Sequence, residues 1–183
     1  GFGVPKNKII NCGQKAITYG EIYTKHDVII KCFTSFIDVK TASQSQLIEK
    51  GDILFAGSGE TLEDIGKCVA YIDNDYAFAG GDIIIYKPKS VNSTVLSYIL
   101  NSPCVIKQKR QMGQGHSIVH IYAKSLSKIK VTLPSIEEQN SIAEVLTNID
   151  KEIDIVKERL AAIRTQKNGL MHRLLTGKTR RII

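Results

Sequence analysis

The chain has 183 residues, 43% of them hydrophobic, and a formal net charge of +7. This apolar content suffices for the core of one domain with an appendage and argues against disorder. No run approaches the roughly 18 apolar residues of a membrane span, and the start lacks a charged region followed by an apolar signal core, so the sequence predicts an intracellular, cytoplasmic protein without membrane association. Cys12, Cys32, Cys68 and Cys104 are widely spaced with no CxxC pair, which predicts reduced, mostly buried thiols rather than a zinc site or a disulfide framework. The positive surplus fits either simple solubility or attraction to a polyanion.

Residues 1–134 read as a strand-rich domain, because β-branched runs keep meeting Gly, Asp or Asn. Strands are predicted at Lys8–Asn11, Val28–Phe33, Asp52–Phe55, Lys67–Ile72, Asp82–Tyr86, Ile118–Tyr122 and Lys128–Val131. Gly51-Asp52 and Gly81-Asp82 supply turn chemistry that opens strands. Asn92 or Ser93 can cap a helix through Val95, Leu96, Tyr98, Ile99 and Leu100, which Pro103 terminates, and a second short helix carries Lys107, Lys109 and Arg110.

After Pro134 the pattern changes. Ser135 with Glu138 reads as a capping box, and Gly177 supplies a C-terminal stop. Between them Ile142, Leu146, Ile149, Ile153, Val156, Leu160, Ile163, Leu170 and Leu174 recur at alternating steps of three and four, broken only at Lys167. That heptad predicts a coiled-coil helix over 135–183, longer than the domain can cover and therefore in need of a partner. The expected fold is α+β: a compact strand-rich domain over 1–134 followed by a long C-terminal helix and a basic tail.

Catalytic motifs are weak. Asp52-Ile-Leu-Phe-Ala-Gly-Ser-Gly59 is similar to the loop by which methyltransferases hold S-adenosylmethionine, but no Asn-Pro-Pro-aromatic motif accompanies it and no series of βα units follows. His26, His116, His120 and His172 lack helical metal-site spacing, and Ser58, Ser117 and Ser125 sit in no nucleophile elbow. The expectation is a non-catalytic protein with no cofactor and no metal.

Two stretches carry residue types that suit DNA. Tyr19–His26 offers Tyr19, Tyr23 and Lys25. Residues 107–117 offer Lys107, Lys109 and Arg110 for phosphates, with Gln114, His116 and Ser117 for base edges in a glycine-broken loop. Read alone, the second stretch is a solvated basic helix and turn; joined to a dimerisation helix, it matches how DNA-binding proteins set half-site spacing.

Five segments, YGEIYT (19–24), GDILFAGSGET with IGK (51–61, 65–67), AGGDIII (79–85), GQGHSIVHIY (113–122) and LPSIEEQNSIAEVLTNID (133–150), resemble the specificity subunits of type I restriction-modification enzymes, as does the closing LLTGKTR (174–180). The resemblance implies a non-catalytic target recognition domain that reads part of a bipartite double-stranded DNA site. It further implies helices paired as an antiparallel coiled coil, with methyltransferase and restriction subunits as partners. FAGSG then becomes a structural turn or a DNA-facing loop, which adds Ser58 and Thr61 to the DNA-contact candidates. Full subunits carry two recognition domains and two helical regions, so a single set implies a half-subunit, a fragment or a trimmed chain, and a homodimer through the helix. The alternative is a coiled-coil adaptor whose head binds protein.

Overall fold

In the computed structural model, residues 3–115 and 118–180 are described. They divide into two units, within 1–140 and 141–183. The first contains nine short strands: β1 (Gln14–Ile17), β2 (Ser35–Ile37), β3 (Gln46–Ile48), β4 (Ile53–Ala56), β5 (Ser58–Gly59), β6 (Cys68–Ala70), β7 (Ala77–Ala79), β8 (Ile83–Tyr86) and β9 (Val119–His120). Among them run α1 (Tyr19–Thr24), α2 (Val39–Ala42), α3 (Ser93–Leu100), α4 (Pro103–Arg110) and α5 (Ala123–Leu126). The long α6 (Ile136–Leu175) starts in the first unit and continues through the second.

The strands form three sheets, in the orders β2-β1-β7-β3, β6-β4-β8 and β5-β9. Pairing is antiparallel except between β1 and β7. The continuous apolar run of β4 follows from its place at the middle of its sheet, buried on both faces. Because successive side chains alternate, Leu54 and Ala56 join a core with Ile17, Ile22, Ile48, Val69 and Tyr71, whereas Ile53 and Phe55 join another with Leu96, Leu100 and Val105.

Several sequence-predicted elements take their expected places. Asn92 Oδ1 accepts from the N–H groups of Thr94 and Val95 at the start of α3, which ends at Leu100; Pro103, expected to terminate that helix, instead opens α4, where its missing N–H costs nothing. Ser135 Oγ accepts from Glu138 N at the start of α6, but the carboxylate paired with the Ser135 hydroxyl is that of Glu137. Gly177, at φ +70°, closes the helix, with its N–H on Leu174 O.

Three predicted strands are not strands. Lys6–Lys8 forms a 3₁₀ turn, and Ile10 makes a single bridge to Phe36. In 28–33 only Ile29 bridges, to Ala70, before Phe33 leaves to pack edge-on against Tyr71. In 128–131 the Gln108 side-chain amide takes both backbone groups of Lys130, replacing a strand partner. Ile118–Tyr122 shrinks to the two residues of β9. The thiols also depart from expectation: only Cys68 is buried, while Cys12, Cys32 and Cys104 are exposed because they lie outside the sheets and off the packed helix faces. No helix among the described residues is long and apolar enough to cross a membrane.

His26 is 4% exposed, and its Nδ1 is buried without a hydrogen-bond partner. Burial holds its pKa below the ordinary 6.5. As pH falls, the unfolded chain therefore takes up the proton first, and stability present above 6.5 is lost toward the lowered folded value. Urea unfolding between pH 7.5 and 5 should show this decline, and His26→Leu should flatten it. An equal slope in the variant would assign the decline to other groups.

Candidate nucleic-acid interface

Two stretches far apart in sequence meet at the β5–β9 ladder, where Ser58 pairs with His120 and Gly59 with Val119. The ladder gains a further rung from Gln114, which exchanges both backbone hydrogen bonds with His120. Gly115, next to Gln114, must be glycine: its φ is +123°, and a Cβ there would lie 2.0 Å from Ile118 O. Ser58 Oγ lies 2.9 Å from His120 Nδ1, and the His120 ring stacks on Tyr122 with centroids 6.4 Å apart and planes at 21°.

α1 braces this ladder from within. Thr18 and Glu21 form a full capping box, which the sequence carries as T-x-x-E. The helix so started delivers Tyr23, whose hydroxyl donates to Ser58 O at 3.1 Å. Burial pushes the Tyr23 pKa up to about 12, so the hydroxyl stays a neutral donor. Tyr23 is thus a support under the FAGSG loop. Tyr19 and Lys25 are exposed at the two ends of the same helix.

The basic residues of α4 separate into two kinds. Lys107 and Arg110, three apart on one helix face, are exposed, and Arg110 approaches Glu63 at 4.0 Å. Lys109 is 1% exposed and donates from Nζ to Gly66 O at 2.8 Å. Its expected role at a phosphate is therefore not met in this structure: the side chain is turned inward, where burial lowers its pKa. Gly66, at φ +70°, makes that path possible, because a Cβ there would press to 3.1 Å from the lysine stem.

Of the remaining candidates, Thr61 and Gln114 are exposed and Ser58 is buried at 3%. His116 and Ser117 lie outside the described residues. The structure thus gathers Ser58, Tyr23 and Gln114 around one ladder and leaves Tyr19 and Lys25 apart from it in hydrogen bonding. His120 and Tyr122 are additions to the set. The signal that could have found them is their spacing of two in the predicted strand Ile118–Tyr122, which puts both side chains on one face.

The first unit is an α+β domain in which two distant loops meet at one short ladder, and the long helix that starts in it carries the heptad. Residues 6–165 match the type I restriction modification DNA specificity domain, and the chain belongs to that family. It is 34% identical over 96 residues to the type I restriction enzyme MjaVIII specificity subunit of Methanocaldococcus jannaschii, covering 52% of this chain and 23% of that protein. To the putative type I restriction enzyme MjaX specificity subunit of the same organism it is 41% identical over 69 residues, covering 38% and 16%. The fold is like that of a chain in a structure of type I R-M complex assembly (TM-score 0.60, 18% identity, 93% of this chain and 40% of that one). It is also like the S subunit of a type I system from M. genitalium (TM-score 0.59, 15% identity, 94% and 41%). The chain spans less than half the length of each of these relatives.

Proposed function

We propose that this chain is the DNA-reading part of a type I specificity subunit. It recognises one half of a bipartite duplex site, catalyses no reaction itself, and serves as a scaffold for methyltransferase and restriction subunits. Its long helix pairs with that of a second copy. The observation that carries the reading is the β5–β9 ladder, which joins two of the segments that resemble specificity subunits and sets Gln114 and His120 beside Ser58. The exposed Lys107 and Arg110 serve the backbone, and Gln114 serves bases; Tyr23 and Ser58 act from beneath as supports.

Binding of the full chain to duplex DNA, measured as a function of salt, tests this. Each phosphate contact releases counterions, so Lys107→Ala and Arg110→Ala should each lower the slope of log affinity against log salt by about 0.9 and weaken binding alike on all sequences. Gln114→Ala should instead change the ranking of sites. A head that bound protein would show no salt-dependent affinity for DNA, and that result would overturn the reading.

A further inference from the structure

We propose that His120 reads a base edge and that Ser58 is the positioning residue that sets its tautomer, an inference that rests on the DNA-reading function above. Ser58 is buried, and its hydroxyl must place one proton on an acceptor. Among the described residues the partner shown for Oγ is His120 Nδ1, at 2.9 Å. In this proposal the serine O–H donates and Nδ1 accepts, which puts the ring N–H on Nε2.

That N–H is available. His120 is half-buried, and the hydrogen bond its ring makes among the described residues is at Nδ1, which leaves Nε2 for a ligand. The ring is also held in place. Tyr122 stacks on one face, Gln114 and Ser58 fix the backbone on either side, and the Tyr23 hydroxyl secures the Ser58 carbonyl. Because neither its rotation nor its proton needs rearranging on binding, the side chain presents one preorganised donor.

The matching ligand group is a base-edge acceptor in the major groove: guanine N7 or O6, adenine N7, or thymine O4. Cytosine offers its N4 amino donor there and is rejected by a second donor.

The test begins by selecting a preferred site with the full chain from a pool of random duplexes, then permuting each base pair in competition binding. His120→Ala should lose about tenfold of discrimination at one position, while its salt slope stays that of the unmodified chain. Ser58→Ala should blur the same position, because the imidazole can then flip tautomer. His120→Gln, whose amide keeps an N–H donor, should retain most of the preference there. If His120→Ala fails to fold, Ser58→Ala and His120→Gln decide by the same criterion. Specificity profiles of the folded variants that superimpose on that of the unmodified chain would overturn the role of His120. An unmodified chain with no preference for any sequence would instead overturn the DNA-reading function.

Discussion

Replacing Ile153 and Leu160 together with Asp is expected to turn a dimer of this chain into monomers whose first unit remains folded. The apolar seam of α6 is uncovered in the single chain: Ile149, Ile153, Leu160, Ile163, Leu170 and Leu174 are all between 45% and 52% exposed. An apolar stripe of that kind is rarely left to water. Burying a Leu or Ile contributes about 1.5–3 kcal/mol, so several such residues offset the entropy lost on association. Two carboxylates per chain at the seam would instead be buried without partners, each costing several kcal/mol in roughly the range seen for unpaired buried charges. Both changes lie in the second unit, so the near-UV circular dichroism of the first should persist. Sedimentation at micromolar concentration reads the result. A monomer for the unmodified chain would sink self-pairing and assign the seam to an unlike protein.

The second large effect is expected at Lys109, and it is an effect on stability. Lys109→Ala removes a buried stem and leaves the Gly66 carbonyl without its donor. Loss of the stem is of the kind that costs about 2–5 kcal/mol in a core. An orphaned buried acceptor adds about 1–3 kcal/mol, and the two terms overlap. Lys109→Met keeps the stem and should cost only the smaller part. Neither variant should change the salt slope of DNA binding, because the ammonium is spent inside the protein. Chemical unfolding paired with the salt titration separates the two roles: a Met variant of full stability with a slope reduced like that of Lys107→Ala would place Lys109 at a phosphate after all.

What the sequence determined by itself was local. The heptad and both ends of α6 and the Asn92 cap of α3 are each written in a few neighbouring residues, and helix periodicity and capping act over that range. The T-x-x-E box of α1 is equally local, spanning Thr18 to Glu21. Strands of three or four residues such as β2, β3 and β7 are too short for alternation to register, so pairing across the chain had to define them. The same holds for the interface. Ser58 and His120 are 62 residues apart, and only the ladder sets one against the other. In the basic run 107–110, charge alone made Lys107, Lys109 and Arg110 equivalent. Tertiary packing separated them, because the buried face of α4 carries Lys109 inward to a carbonyl that the open backbone at Gly66 leaves within reach.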